Sequence, residues 1–443
     1  MTNAPLRVTV IGTGYLGLTH AVCLAELGHE VLAIDADLNK LAQAAAGSAP
    51  FFEPGLEPLL RKNLDAGRLR FTNSYTEVGA FGDVHFLCVG TPQREGGEAD
   101  LSQLHAASDS LAPHLFRESL VVGKSTVPVG TARKLLARIR SFAPAGDAVD
   151  LAWNPEFLRE GHGVEDSLTP DRIVLGVLRP SAEVLMRQVY ATQLADGIPL
   201  LVTGLETAEL AKVSANAFLA TKISFINMVA EVCEKSGADV MELADAIGLD
   251  VRIGRNFLSP GLGFGGGCLP KDIRAFHAVA SRLGAEPLST LLSAVDQANL
   301  GRRDRVVSLA RDAAPGGSLK DAKVAVLGLA FKPGSDDIRD SPSLDVCGRM
   351  AEAGAIVTSH DPVAIENAAR VRPELRYAAS VFEAAEDADV VLHLTEWQEY
   401  RSIDPAALKS VVARPVLVDA RCALDKDAWV DAGWTVRSPG RAL

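Results

Sequence analysis

Short, fully apolar runs alternate with longer amphipathic stretches over most of the 443 residues, and this rhythm breaks once, in the middle. Residues 6–11, LRVTVI, form the first such run. A run apolar at every position, not at every second one, fits a parallel strand covered on both faces. Similar runs are EVLAI before Asp35, VHFLCVG (84–90), SLVVGKS (119–125), DLAW (150–153), RIVLGV (172–177) and PLLV (199–202). Helical stretches separate them, which predicts a doubly wound α/β domain to about residue 204. From Glu206 to Ser236 the pattern becomes one long helix without glycine or proline. It is too apolar to stand in water alone. Shorter helices are expected to about residue 313, and APGGSLKD (314–321) reads as a linker. KVAVLGLAF (323–331) then restarts the strand–turn–helix pattern, with further strands at DVVLHL (389–394) and PVLVDA (415–420). The expected fold class is therefore α/β. Two Rossmann-like domains with doubly wound parallel sheets, 1–204 and 314–443, flank a central all-helical region, 205–313. No low-complexity segment and no short repeat interrupts this order.

Composition narrows the class. A hydrophobic content of 48% with 23% charged residues is that of a globular protein, and the length exceeds one ordinary core. The net charge of −12 argues against nucleic acid as a partner. No apolar stretch reads as long and clean enough to cross a membrane, and MTNAPLRVTVIGTG runs straight into a strand without a signal peptide. Six scattered cysteines without C-x-x-C pairs fit a reducing compartment, hence the cytoplasm, and no Cys/His grouping has metal-ligand spacing.

Candidate chemistry begins at the first turn. Gly12-Thr13-Gly14-Tyr15-Leu16-Gly17 follows a strand, opens a helix, and is followed by a second strand ending at Asp35. That is the dinucleotide fingerprint in its required context. Gly12 serves the tight turn, Gly14 admits a pyrophosphate and Gly17 permits close helix packing. Asp35 can accept from a ribose hydroxyl and would repel a 2′-phosphate, and Ala36, not arginine, follows it. NAD is favoured over NADP. The second Rossmann-like domain has Gly328-Leu329-Ala330-Phe331-Lys332-Pro333-Gly334 instead, which fits a mononucleotide better than a second dinucleotide.

The segment GLGFGGGCLPKD (261–272) is the other candidate. Pro270 suits a first helical turn, so Cys268 sits just before a helix N-terminus with Lys271 nearby. Both features favour thiolate. The residues alone leave two readings, an activated nucleophile or an inert cysteine in a glycine-rich loop. The other five cysteines lie in apolar elements and read as core. Lys212 and Asn216, four apart on the long helix, share a face and can donate to an oxyanion, although such a pair is more commonly solvated. Asp272 can hold a water, or simply favour a helix's first turn. NPEFLREG (154–161) puts Glu156 and Glu160 in a loop after a strand, where active-site groups or surface charge are found. A thiolate beside NAD would allow an alcohol to become an acid, since it traps the intermediate aldehyde as a thiohemiacetal that oxidises to a thioester.

The runs IGTGYLGL, VGTP (89–92), STVPVGT (125–131), NPEFLREG, AELAKVSANAFLATKISFIN (208–227), GFGGGCLPKD and LAFKPGSDDIRDSP (329–342) occur together and in order. In them the chain resembles the UDP-glucose/GDP-mannose dehydrogenase family over essentially its whole length. SLTPDRIVLG (167–176) and LTEWQEYR (394–401) resemble the UDP-glucose branch. The resemblance implies NAD bound by Gly12, Gly14, Gly17, Asp35, Lys40, Thr91, Thr126, Glu160, Lys271 and Arg339. It implies UDP-glucose bound by Glu156, Phe157, Leu158, Arg159, Glu160, Lys212, Asn216, Phe257, Leu258, Ser259, Pro260, Gly261, Gly265, Lys332 and Arg421, with Arg252 offered to a neighbouring subunit. Cys268 would be the nucleophile, assisted by Lys212, Asn216, Asp272, Glu156 and Thr126. The long helix would form the core of a homodimer. Gly267 replaces the family's usual serine. GDP-mannose or a UDP-N-acetylhexosamine remains an alternative substrate. A two-electron 2-hydroxyacid-type dehydrogenase and a non-catalytic nucleotide-sugar-binding protein remain alternative classes.

Overall fold

The computed structural model describes residues 5–441. The chain divides into two compact units, one up to Ala215 and one from Asn216 onward.

The first unit is built on an eight-stranded sheet in the order β3-β2-β1-β4-β5-β6-β7-β8. The strands are β1 (Arg7–Ile11), β2 (Glu30–Ile34), β3 (Leu69–Thr72), β4 (Val84–Leu87), β5 (Ser119–Gly123), β6 (Val149–Trp153), β7 (Ile173–Gly176) and β8 (Leu200–Thr203). Neighbouring residues on one strand enter different cores. Val10, Val122 and Ala152 belong to one cluster, while Ile11, Val121 and Leu151 belong to the other. Side chains alternate across a strand and both faces are covered, which explains the unbroken apolar runs. The sheet departs from the all-parallel expectation at one joint, where β6 meets β7 antiparallel through Trp153 opposite Gly176. The edge strand β3 carries Arg70 outward and has no continuous apolar run to announce it.

The second unit carries a six-stranded parallel sheet in the order β11-β10-β9-β12-β13-β14. Its strands are β9 (Lys323–Leu327), β10 (Ile356–His360), β11 (Arg376–Tyr377), β12 (Val390–His393), β13 (Val416–Asp419) and β14 (Thr435–Arg437). Before it come the helices Leu269–Arg282 and Glu286–Ala313. The latter is one helix of 28 residues, where shorter ones were expected. Its first half packs Leu292 and Val295 among helices, and its second half packs Val306 and Ala310 into the core of the sheet. Gly301 does not break it. The segment 314–321 is a packed turn more than a linker. Ala314 and Leu319 are buried, and Gly316 and Gly317 supply positive φ.

The helix Leu205–Ser236 begins in the first unit and ends in the second. By length and apolar composition it qualifies as a membrane span, contrary to the expectation that no stretch would. Its polar groups are nonetheless served by protein. Ser224 donates to the Val295 carbonyl at 2.9 Å, and Asn227 accepts from Gly261 N at 2.8 Å. Earlier in the same helix Glu209 accepts from the N–H groups of Gly130 and Ala132, at 2.7 and 2.6 Å. It thereby caps the helix Thr131–Phe142, whose own N-cap residue is a glycine.

Candidate active site

The first glycine turn is shaped to receive a dinucleotide. Gly12 has φ of +96°, and a Cβ there would lie 2.8 Å from the Cys88 carbonyl oxygen. A Cβ on Gly17 would collide with the Gly12 carbonyl at 1.8 Å, so the helix can sit this close only as glycine. A Cβ on Gly14 would meet nothing within 4 Å, and no side chain caps the helix Tyr15–Glu26. Open space in front of unpaired N–H groups is what a pyrophosphate fills. Asp35 accepts from Thr13 N at 2.6 Å, from the Thr13 hydroxyl at 3.0 Å and from Asp37 N at 2.9 Å. Burial raises its pKa, but the backbone donors Asp37 and Thr13 outweigh this and hold the carboxyl below its ordinary range. The residues therefore fit a dinucleotide with a free 2′-hydroxyl. Lys40 lies in the following helix, exposed and 3.9 Å from Asp37.

The other strand ends of this sheet carry the remaining candidates of the first unit. Thr91, after β4, donates to the Thr126 carbonyl at 2.8 Å and so ties two predicted loops together. After β6, Glu156 pairs with Lys212 at 3.1 Å, with both side chains largely buried, and accepts from Leu158 N at 2.6 Å. Phe157 lies under Arg172 at 4.0 Å and beside Lys212 at 5.6 Å. Arg159 is exposed and held by Asp166 at 2.6 Å. Two residues of this region were missed in the sequence. Glu53, buried, accepts from the Tyr15 hydroxyl and from the N–H groups of Gly161 at 2.8 Å and Gly163 at 2.7 Å. It ties the glycine turn to the loop that carries Glu160. Its signal was an acid set between aromatics and Pro-Gly in FFEPG. Lys124, at the end of an apolar strand, is the other.

In the second unit Cys268 is the N-cap residue of the helix Leu269–Arg282, with Pro270 in the first turn. It is exposed, whereas the other five cysteines are buried. Burial pushes the thiols of Cys23, Cys88, Cys347 and Cys422 up to about 12, so none of these four is a nucleophile near neutral pH. Asp272, one turn after Cys268, is fully buried. It accepts from Asn216 Nδ2 at 2.6 Å and from Lys271 Nζ at 2.7 Å. The charge of Lys271 is therefore directed first at Asp272. The glycines before the cysteine make room for the segment after β9. Gly266 has φ of +84° and its N–H donates to the Arg339 carbonyl at 2.9 Å. A Cβ on Gly267 would start 2.5 Å from the Arg339 guanidinium carbon, so the missing serine goes with a guanidinium laid across the loop.

The substrate candidates of this unit divide by environment. Gly261 is anchored on both sides: its N–H donates to Asn227, and its carbonyl accepts from Arg302 Nε at 3.2 Å. Leu258 and Pro260 are buried, while Phe257, with φ of +65°, and Ser259 are exposed. Gly265 is buried against the Asp340 carbonyl. Lys332 lies 5.5 Å from the Phe331 ring centre, and Arg339 makes a forked pair with Asp337 at 2.6 Å. Arg421 donates to the carbonyls of Leu394, Gly263 and Phe331, bracing the cysteine loop against the sheet end. Arg252 is 84% exposed in its side chain and pairs with Asp250. After β10, Asp361 occupies the place that Asp35 has after β2. It is buried and accepts from Leu329 N, Ala330 N, Val363 N and Ala364 N. Both its oxygens are spent on the protein's own turns.

Comparison with known proteins decides what this arrangement belongs to. Three models of the UDP-glucose/GDP-mannose dehydrogenase family match in order: its NAD binding domain at residues 6–194, its central domain at 206–300 and its UDP binding domain at 325–426. The chain belongs to this family. The UDP-glucose 6-dehydrogenase of Rhizobium meliloti (strain 1021) is 44% identical over 98% of this chain and 100% of its own. A UDP-glucose dehydrogenase structure from Pyrobaculum islandicum superposes with a TM-score of 0.91 at 37% identity, covering 100% of this chain and 99% of that one. A UDP-D-ManNAc dehydrogenase from Pyrococcus horikoshii gives 0.86 at 25% identity, with 98% and 99% covered. As a member of this family the protein is an NAD-dependent oxidoreductase, and its first Rossmann domain is the NAD-binding one.

Proposed function

We infer that this member of the family oxidises the C6 alcohol of UDP-glucose to the carboxylate of UDP-glucuronate. One sugar nucleotide, two NAD and one water give the acid, two NADH and protons. The observation that carries the reading is the environment of Cys268: the one exposed thiol among six, at a helix N-terminus, one turn before the buried Asn216–Asp272 pair that half-buried Lys271 joins, in a chain matched end to end by UDP-glucose 6-dehydrogenases. NAD, held at the Gly12–Gly17 turn and by Asp35, would supply the hydride acceptor for each oxidation. The Cys268 thiolate adds to the aldehyde and holds it as a thiohemiacetal, which becomes a thioester and leaves as the acid when water adds. Lys212 and Asn216 donate to the oxygen that gains charge at each addition. Asp272, Glu156 and Thr126 position water and move protons. Lys332, Arg421 and the 257–261 loop are assigned to the nucleotide sugar. In functional terms the chain divides into 1–204 for NAD, 205–313 for the cysteine loop and dimer, and 314–443 for UDP.

The assembly is proposed to be a homodimer through the long helix. Phe218 and Val232, 67% and 63% exposed, lie on one stripe with Phe225 and Met228, and Val251 nearby in sequence is 95% exposed. The 7-3-4 spacing of this stripe is that of a helix seam. Six scattered cysteines without C-x-x-C pairs support a cytoplasmic location. The test is stoichiometry: purified protein with limiting UDP-glucose should form two NADH per sugar. One NADH per sugar would point to a two-electron enzyme, and none to a binding protein. A parallel screen with GDP-mannose and UDP-N-acetylhexosamines checks the sugar.

A further inference from the structure

Lys124 directly follows β5 and is buried, with 7% exposure. Its ammonium donates to Asn154 Oδ1 at 2.9 Å and lies 3.5 Å from the Tyr190 hydroxyl. Neither partner is a carboxylate. Tyr190 itself donates to the same Asn154 oxygen at 2.5 Å, and Asn154 Nδ2 donates to the Val174 carbonyl at 2.8 Å. Burying an ammonium without a hydrogen-bonded counter-ion is costly, so a fold that keeps one there has a use for it. What lies on the far side of Asn154 indicates the use. Pro155 follows with a fixed φ, then Glu156, whose Oε1 pairs with Lys212 at 3.1 Å. Anchoring Asn154 therefore sets the direction of Glu156.

The charges facing Lys124 can be counted element by element. Cys88, after β4, has its thiol pushed up to about 12 by burial. Tyr190, at the end of the helix Pro180–Val189, is pushed up by burial and stays neutral. His20, in the helix Tyr15–Glu26, is held neutral by burial and by Lys124 itself. Glu156 after β6 and Lys212 on the long helix complete the set.

We propose that Lys124 is a positioning residue for the oxidation, fixing Glu156 through Asn154 so that its carboxylate stays on Lys212. The proposal rests on the assignment of Glu156 and Lys212 to the reaction made above. Burial lowers the pKa of Lys124 to about 8, with Cys88 and Glu156 opposing the shift and Lys212 adding to it. Its charge is consequently lost just above neutrality, within reach of an assay.

Lys124→Met keeps the length and apolar stem and removes the charge. With UDP-glucose, kcat at pH 7.5 should fall at least tenfold, the KM for NAD should change less than twofold, and the limb of the kcat profile near pH 8 should disappear. Tyr190→Phe removes the O–H donated to Asn154 and the weaker acceptor 3.5 Å from Lys124 Nζ but keeps the ammonium, and should lower kcat less while retaining that limb. Lys134→Met, on an exposed helix face, should match wild type. In ligand-free protein labelled with ¹⁵N-lysine, one side-chain signal should titrate near pH 8 and be missing from Lys124→Met. A merely structural lysine would leave the limb in place. Wild-type kcat, an unchanged limb, or no lysine titrating near 8 overturns the proposal. If Lys124→Met does not fold, wild-type kcat in Tyr190→Phe overturns it. If the wild-type protein fails to oxidise UDP-glucose, the proposed function falls, while the lysine titration still decides the state of Lys124.

Discussion

At the scale of single residues, two side chains carry opposite electrostatic tasks. Asp35 holds its carboxylate below the ordinary range through three donors, among them the Thr13 and Asp37 N–H groups. A permanent negative charge at that place accepts ribose hydroxyls and repels a phosphate. Catalytic efficiency with NAD should exceed that with NADP by at least a hundredfold, and comparable kcat/KM values would refute the selection. Cys268 is the reverse case, a group that in the proposed reaction must become an anion. Cys268→Ser keeps the size but has no accessible anion near neutral pH. It should be nearly inactive with UDP-glucose, and any ester formed should hydrolyse slowly enough to be trapped. Asp272→Asn should slow thioester hydrolysis with NAD affinity nearly unchanged, and mass spectrometry should find a sugar-nucleotide adduct at position 268. Two NADH per sugar at full rate from Cys268→Ala would eliminate the covalent route.

At the scale of elements, the long helix performs three tasks with two opposite faces. Glu209 caps a neighbouring helix, Lys212 and Asn216 each meet a carboxylate, and Phe218, Phe225, Met228 and Val232 remain uncovered. Replacing Phe218 and Val232 together by aspartate should leave a folded monomer in sedimentation, because an exposed apolar stripe gains little from folding and much from association. A dimer that survives both charges would place the interface elsewhere. The turn around Lys332 makes a second element-level prediction. Its cation is one of those the resemblance assigns to the nucleotide sugar, so Lys332→Ala should raise the KM for UDP-glucose far more than that for NAD. Unchanged UDP affinity by calorimetry would remove Lys332 from the site.

At the scale of the whole molecule, buried neutral histidines set the acid limit. His85 is completely buried, with Nδ1 2.7 Å from the Thr9 hydroxyl, and burial lowers its pKa to about 3. In the unfolded chain the same ring takes up a proton near pH 6.5. As pH falls below 6.5, protons therefore favour the unfolded chain. Stability should drop by up to ~1.4 kcal/mol per pH step of one from this group alone, with His20 and His29, also lowered by burial, adding to it. Urea midpoints should decrease from pH 7 to pH 5. Equal midpoints would show that other groups compensate.

Seven of the eight strands of the first sheet, three of the six of the second, the glycine turn with Asp35 and the cysteine loop were legible in the residues alone. Each is local: a strand covered on both faces is apolar at every position, and a tight turn beside a phosphate admits only glycine. The edge strands β3, β11 and β14 were not legible, since half their surface faces water and a short polar run carries no period, and neither was the inner strand β10, whose Thr358, Ser359 and His360 interrupt the apolar run. Nor was the single helix Glu286–Ala313, whose halves serve different cores. Only the tertiary structure decided which side chains meet. Lys212 with Glu156, Asn216 with Asp272, Glu53 with Tyr15, and Lys124 with Asn154 are separated by 30 to 56 residues. A polar residue's partner at such distance is set by how the strands and helices pack, which no local pattern encodes. The same packing left Cys268 alone among the cysteines in solvent, where its sulfur can react.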